Sequence, residues 1–206
     1  MIPIGVFCVV ALTVFLERWY SLRAEKVIPK RLYGRVKERV LAAQWEEAEK
    51  ECLLEENDSP TSQIMLAGIR RQGRPRGEIK EALEEAGRRH VADLSRVVEL
   101  LGTIAAITPL IGLLGTVVGM IDVFRTVVSE VGATAGAVNP ASLANGIWAA
   151  LLTTAAGLSV AIPAYLGYRS HLGRVDRLSM ELEEISLQLL DDMTVDIVPK
   201  SESDMS

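Results

Sequence analysis

Three stretches of the chain are apolar enough and long enough to cross a membrane, and polar segments separate them. No Asp, Glu, Lys, Arg or His occurs in Leu100–Ile121 or in Val131–Tyr168, and a shorter apolar run covers Ile2–Leu16. A helix needs about 20 apolar residues to span a bilayer core. The pattern therefore predicts an all-α integral membrane protein with three transmembrane helices.

The N-terminal run is short for a span, and two other interpretations compete with it. It lacks the basic residues and the small-residue cleavage site of a signal peptide. An interfacial helix is the other alternative, although the run has no strong polar face. Trp19 and Tyr20 follow the run, and such aromatic side chains commonly lie at the lipid headgroups. We therefore predict a first transmembrane helix over residues 1–20.

The polar segment that follows is predicted to form a cytoplasmic helical hairpin over residues 21–77. Within Arg31–Glu56 the apolar residues recur at spacings of three and four, which is typical of amphipathic helices. Ser59 followed by Pro60 predicts a helix N-cap with proline at the first helical position. The segment Gly73–Gly77 contains Pro75 and predicts a break before the next helix.

Two apolar stripes continue from the spans into polar sequence without a stop signal. One consists of Ile79, Leu83, Ala86, His90, Leu94, Val97 and Leu101, and the other of Tyr168, Leu172, Val175, Leu178, Leu182, Ile185 and Leu189. The second and third transmembrane helices are therefore predicted to extend into the cytoplasm as long stalk helices, and such stripes favour an oligomer. The predicted segments are a stalk plus second span (78–128), a periplasmic loop (129–140), a third span (141–168), a cytoplasmic C-terminal helix (169–198) and a disordered tail (199–206).

The distribution of basic residues predicts the orientation of the chain. There are 22 Lys and Arg against 27 Asp and Glu, and most of the basic residues lie within residues 17–99. Arg125 alone lies between the second and third spans. Because Lys and Arg accumulate on the cytoplasmic side of a membrane, the N-terminus is predicted to lie on the outer side of the membrane and the C-terminus in the cytoplasm.

The remaining side chains do not favour an enzyme or a metalloprotein. Cys8 lies in an apolar run and Cys52 in a charged helix, so neither a disulfide nor a metal-ligand spacing is expected. No nucleophile–base arrangement or glycine-rich phosphate loop occurs. His90 and His171 occupy helix stripe positions. We therefore predict no catalytic residue, no metal and no bound cofactor.

Small and hydroxyl-bearing residues repeat within the second and third spans. The small residues are Gly112, Gly115 and Gly119 in one span and Ala150, Gly157 and Ala161 in the other. Small residues at this spacing let helix backbones approach closely. Thr116 and Thr154 lie on the same stripes, where they either belong to a packing seam or line a pore. Thr103 and Thr153 are interpreted as bonding carbonyls of their own helices.

Two motifs in these spans resemble the paired signature of the ExbB/TolQ/MotA proton-channel family. The first is TPLIGLLGTVVGMIDVF from Thr108 to Phe124, and the second is GIWAALLTTAAGLSVAIP from Gly146 to Pro163. The segments Phe15–Tyr20 and Gln44–Ala48 are also similar to the family, as is the C-terminal stripe from Tyr168 to Leu189, whose apolar residues repeat at spacings of three and four. The resemblance therefore covers nearly the whole chain. The chain length and three spans are more like ExbB or TolQ than the four-span flagellar stator subunit.

The resemblance implies a location and a mechanism. The membrane would be the bacterial inner membrane, with the N-terminus periplasmic and the C-terminus cytoplasmic. Family members form homopentamers whose second and third spans line a pore, and the pore holds the single transmembrane helices of an ExbD/TolR-like dimer. An aspartate of that partner carries protons, the coupling ion, and Thr116 and Thr154 would face it. The motor would energise processes such as TonB-dependent uptake, with a TonB/TolA-like transducer as a further partner. A TolQ-like envelope-maintenance motor, a gliding-type motor and a non-conducting scaffold remain alternatives.

One position departs from the pattern of the family. ExbB and TolQ members commonly carry a glutamate in the third span, and the matching residue here is Ala149. Either the proton path relies wholly on the partner's aspartate, or this chain is an altered member with impaired conduction. Asp122, Arg125 and Asn145 are assigned to the outer mouth of the pore, where the first two form either a local ion pair or a gate.

Overall fold

The computed structural model describes residues 2–22, 24–54, 59–133 and 140–194. This part of the chain folds into helices in the order α1 (Ile2–Ser21), α2 (Ala24–Val27), α3 (Lys30–Leu41), α4 (Trp45–Leu53), α5 (Pro60–Ile69), α6 (Arg76–Ala133) and α7 (Pro140–Thr194). Half of the predicted periplasmic loop, residues 134–139, and the whole predicted tail at 199–206 lie outside the described residues.

Three of the helices, α1, α6 and α7, are long and apolar enough to cross a membrane. The helix α6 has 58 residues and α7 has 55, and each continues through an internal proline, Pro109 or Pro163. The predicted all-α fold with three apolar helices, two of them long, is therefore confirmed. The segment boundaries drawn from the sequence stay predictions, as do the sides of the membrane on which the segments lie.

The chain forms two compact units, and α6 and α7 contribute to both. The apolar unit comprises Met1–Trp19 and Val97–His171. Its core is a cluster of buried aliphatic residues, with four partly buried residues packed against it. The cluster consists of Ala11, Leu101, Ile104, Ala105 and Ala164, and the surrounding residues are Phe7, Val14, Phe15 and Tyr168. The small side chains in this core allow α1, α6 and α7 to pack closely.

Much of the surface of the apolar unit is formed by large apolar side chains. Exposed examples on α6 are Leu110, Leu113, Leu114 and Phe124, and on α7 they are Trp148, Leu151 and Leu166. Patches of this size are unfavourable in water but suit contact with lipid or with other transmembrane helices.

The polar unit comprises Tyr20–Arg96 and Leu172–Ser206. The helix α3 buries Leu32, Val36 and Val40 on one face, and α4 buries Ala48 and Cys52. These are the stripe positions that the three- and four-residue spacing predicts. The Thr61 hydroxyl of α5 donates a 2.7 Å hydrogen bond to the Val27 carbonyl. The polar unit therefore has its own buried core.

The start of α5 has the predicted N-cap. The Ser62 amide donates to Ser59 Oγ over 3.2 Å, and the Ser59 amide donates to Ser62 Oγ over 3.0 Å. Pro60 occupies the first turn, where its missing N–H is harmless. An N-cap of this kind stabilises a helix by about 1 kcal/mol. Before α6, Gly73 has φ +76°, a left-handed conformation that glycine adopts without strain.

Within the polar unit, polar contacts join α3 and the start of α6 to the C-terminal end of α7. Tyr33 donates a 2.9 Å hydrogen bond to Gln188, and Lys37 pairs with Asp192 over 3.1 Å. The hydrogen bond to Asp192 raises the pKa of Lys37. Arg76 contacts Asp191 over 2.5 Å. Because such partly exposed ion pairs stabilise a fold by at most about 1 kcal/mol each, they fix the position of the α7 end more than they add stability.

Cys52 is expected to resist thiol reagents while the polar unit is folded. Burial, with the nearby charges of Glu51 and Glu49, raises the pKa of this thiol from 9.0 to about 12. Because the thiolate is the reactive form, its population near neutral pH falls about 10³-fold. Maleimide labelling of permeabilised membranes, read by peptide mass spectrometry, should leave Cys52 unmodified until denaturant is added.

A cysteine at the exposed position Gln72, introduced as Gln72→Cys, is the matched control and should react at once in the same membranes. Equally fast native labelling of Cys52 would contradict its burial.

The raised pKa of Cys52 also has a consequence for stability, because a proton is held more tightly in the folded state. This contribution is complete below pH 9 and is lost as the pH rises toward about 12.

Candidate functional site

In the apolar unit, the backbones of α6 and α7 approach each other closely at a pair of glycines, Gly112 and Gly157, which we call the glycine crossing. A Cβ atom placed on Gly157 would lie 3.1 Å from Gly112 Cα and 3.1 Å from the Thr108 carbonyl oxygen. A Cβ atom on Gly112 would lie 3.1 Å from the Thr153 carbonyl oxygen. Because these neighbours are backbone atoms, only glycine fits at the crossing without displacing a helix.

The hydroxyl of Thr154 is hydrogen-bonded across the glycine crossing. It donates to the carbonyl oxygen of Gly112 over 3.0 Å. The close approach of the backbones makes this contact possible, because a larger residue at Gly157 would separate the helices. A carbonyl oxygen has two lone pairs, so Gly112 can accept this bond beside the one within its helix. Thr154 therefore places a polar bond between the uncharged stretches of α6 and α7.

Thr153 is also at the crossing, although its shorter bond is local. Its hydroxyl donates to the Ala150 carbonyl in the same helix over 2.7 Å and approaches the Gly112 carbonyl at 3.3 Å. Thr103 donates to its own helix at Glu99 over 3.0 Å. The predicted local bonding is confirmed for Thr103, and for Thr153 it is joined by the longer contact with α6.

Thr116 is half-buried, and its hydroxyl donates to the Leu113 carbonyl of its own helix over 2.7 Å. The structure thus brings Thr154, and not Thr116, into a hydrogen bond between α6 and α7. A threonine hydroxyl rotates about one bond and can both donate and accept. The local bond satisfies the Thr116 hydroxyl within its own helix, which agrees with a role in packing. It also leaves the oxygen able to accept from another group.

The other small residues of the two stripes continue the same packing. A Cβ atom on Gly119 would lie 2.8 Å from Ala150 Cβ, and one on Gly115 would lie 2.7 Å from Thr153 Oγ1. Ala161 is buried as well. Gly112, Gly115, Gly119, Ala150 and Gly157 are thus brought together along one seam, and their predicted role in helix packing agrees with these contacts.

A cavity of about 610 Å³ opens beside this seam within the apolar unit. Residues of α1, α6 and α7 line it, and we call it the Asp122 cavity after its one acidic residue. Gly115, Gly119 and Ala150 lie in its wall, as does Ala149, the residue at the family's glutamate position. Ser142 of α7 also lines the cavity and is one of its polar side chains.

The three residues assigned to the outer mouth do not line one common surface. Asp122 lines the cavity, whereas Arg125 lines a separate groove with Phe124 and Val128. The Arg125 guanidinium is 3.8 Å from the Asp122 carboxylate, and both side chains are largely exposed. Asn145 is exposed on α7. The ion pair predicted by the spacing is present but long.

Sequence reasoning missed some buried polar residues of this unit. Thr108 is fully buried beside the crossing and donates to the Ile104 carbonyl over 2.6 Å. His171, interpreted from the sequence as a stalk residue, is fully buried with its ring 5.0 Å from that of Phe15. The first proline motif starts at Thr108 and could have drawn attention to it. The contact of His171 with α1 leaves no local signal.

The helices that form this site lie in a region of the chain that matches a known protein family. Residues 56–184, which include α5, all of α6 and the seam-forming part of α7, match the MotA/TolQ/ExbB proton channel family. The chain belongs to this family. Proton channels of this family are membrane proteins and not enzymes, so the three apolar helices are membrane-spanning helices.

A relative from Methanothermobacter thermautotrophicus carries the name "Putative biopolymer transport protein ExbB homolog". It is 32% identical to this chain over 173 residues, which are 84% of the chain and 58% of the relative. The chain therefore spans little more than half the length of this relative. The glycine crossing and Asp122 lie within the part that matches the family.

Proposed function

We propose that this chain is the channel subunit of an inner-membrane motor of the ExbB type. The motor uses the proton motive force to energise periplasmic or outer-membrane processes such as TonB-dependent uptake. Membership of a proton-channel family supports the general activity. The named relative and the three-span pattern support the ExbB-like kind within that family.

The observation that carries the proposal is the Thr154 hydroxyl bonded to the Gly112 carbonyl between the uncharged stretches of α6 and α7. An isolated charge in the membrane is costly, so a proton-carrying carboxyl needs hydroxyl or carbonyl groups close by. A hydroxyl can donate to a carboxylate and accept from a carboxylic acid. Thr154, with Thr116 on the facing helix, is therefore suited to the proton path, facing the aspartate of an ExbD/TolR-like partner.

We propose a homopentamer around that single-span partner dimer, with a TonB/TolA-like transducer receiving the work. The exposed apolar side chains of α6 and α7 support lateral assembly, because a single chain covers few of them. We further propose that the N-terminus is periplasmic and the C-terminus cytoplasmic. The support for this orientation is the concentration of Lys and Arg between the first and second spans.

Two other functions are compatible with the same helices. A TolQ-like or gliding-type motor would conduct protons in the same way but would drive a different process. A scaffold would assemble without conducting, and the replacement of the family glutamate by Ala149 is the feature that favours it.

The test is proton flux into liposomes that contain the chain and a single-span ExbD/TolR-type partner from the same genome. A potassium diffusion potential drives the protons, and a pH-sensitive dye inside the vesicles reports them. We expect flux above that of empty vesicles and, by native mass spectrometry in mild detergent, five copies of this chain. An intact pentamer without flux would favour the scaffold, and a monomer would contradict both.

A further inference from the structure

Asp122 is the one acidic side chain in the described parts of α6 and α7 that cover the seam and its outer end. From Leu100 to Ser129 and from Pro140 to Tyr168, the described residues include no other Asp or Glu. An ionisable residue within a transmembrane segment is costly and is usually retained for function. Such a residue serves either in a structural ion pair or in a site that binds an ion.

The ion pair with Arg125 does not account for Asp122. The contact is 3.8 Å, and the side chains are 68% and 79% exposed for Asp122 and Arg125. A pair this long and exposed contributes little to stability. Arg125 lines a separate groove, with Ile121 and Val128, so its guanidinium is not in the wall of the cavity. The carboxylate and its neighbouring cation thus belong to different surfaces of α6.

The cavity suits a group that gains and loses a proton. Its volume of about 610 Å³ is large enough for several water molecules, each of which takes up roughly 30 Å³ in the liquid. Ser142 offers a hydroxyl from α7, and Ala149 adds only a methyl group. Pro3 and Ile4 from α1, like the lining residues of α7, are not titratable. On α6, Arg125 is the charged residue nearest to Asp122.

We propose that Asp122 is a proton-binding carboxylate of the channel, exchanging its proton through the cavity that Ala149 also lines. In the step, the carboxylate takes H⁺ from water in the cavity and becomes a neutral carboxylic acid. It later returns H⁺ to water and regains its charge. The proposal rests on the proposed channel function and adds to it a carboxylate supplied by this chain.

The first experiment reads proton binding directly. Dicyclohexylcarbodiimide, an apolar reagent that reacts with protonated carboxyl groups, is added to membranes containing the full-length chain, and peptides are analysed by mass spectrometry. We expect modification at Asp122 that increases as the pH is lowered and does not respond to sodium. No modification, or protection by sodium at constant pH, would overturn the assignment of a proton site.

The second experiment tests the role in transport. In the flux assay Asp122→Asn is expected to conduct no faster than empty vesicles while remaining a pentamer. The double variant Asp122→Asn with Ala149→Glu returns a carboxyl group to the same cavity and is expected to regain flux. Asp93→Asn, the same substitution at an exposed position of α6 outside the cavity, is the matched control.

The outcomes separate the two proposals. Wild-type vesicles without flux would contradict the channel function itself. Wild-type flux that Asp122→Asn leaves unchanged would overturn only the role of Asp122. A loss that Ala149→Glu does not restore would also overturn it, because Asp122 would then act through its contact with Arg125. A restored flux supports a carboxylate that serves the cavity from either helix.

Discussion

Replacing Gly157 with valine is expected to separate α6 from α7 and to destabilise the protein by about 1–3 kcal/mol, the range for overpacked sites. Even a Cβ atom here would lie 3.1 Å from Gly112 Cα, and its three nearest neighbours are all backbone atoms of α6. Backbone atoms cannot rotate away as a side chain can. Thermal unfolding in mild detergent, followed by intrinsic fluorescence or loss of native oligomer, measures the change.

The same substitution at Gly5 is the control, because nothing lies within 4 Å of a Cβ atom placed there. Gly5→Val should unfold at nearly the wild-type temperature. Gly157→Ala is an intermediate case. Alanine stabilises a helix by about 1 kcal/mol relative to glycine, and this gain offsets part of the crowding. A stable Gly157→Val pentamer would show that the glycine crossing is not a fixed contact of the assembled protein.

The fold could be predicted from the sequence because its signals are local. An uncharged run such as Val131–Tyr168 predicts a membrane helix without knowledge of its neighbours. The Ser59–Pro60 pair predicts a cap within one turn. The stripe Leu32, Val36 and Val40 marks the buried face of α3 through its spacing alone. In each case the residues that form the pattern also form the predicted helix or cap.

The site depends on contacts between distant segments, which spacing does not determine. The bond from Thr154 to Gly112 requires a particular register of α7 on α6. The shared position of Asp122 and Ala149 in one cavity requires the same register, and neither residue's neighbours in the sequence indicate it. The thiol of Cys52 is a similar case, because its charged helix gives no sign of the burial that suppresses its reactivity.

Removing the hydroxyl of Thr154 is expected to reduce proton flux strongly while leaving the pentamer intact. Valine keeps the shape of threonine, so the glycine crossing should persist, but the bond to the Gly112 carbonyl is lost. If the same hydroxyl also bonds the carboxylate of the proposed partner, losing that bond costs about 1.5–3 kcal/mol. If that stabilisation is lost from a proton-carrying carboxyl, its pKa moves by about 1–2 units. Flux in liposomes and native mass spectrometry measure the two effects.

Thr116→Val should have the same effect only if that hydroxyl serves the proton path, since its observed bond is to Leu113 of its own helix. Thr153→Val is the matched comparison, because the shorter bond of Thr153 is also local and its longer contact at 3.3 Å is weaker. We therefore expect a smaller loss for Thr153→Val than for Thr154→Val. Equal losses at the two positions, or wild-type flux in both Thr116→Val and Thr154→Val, would mean that the hydroxyls serve helix packing alone.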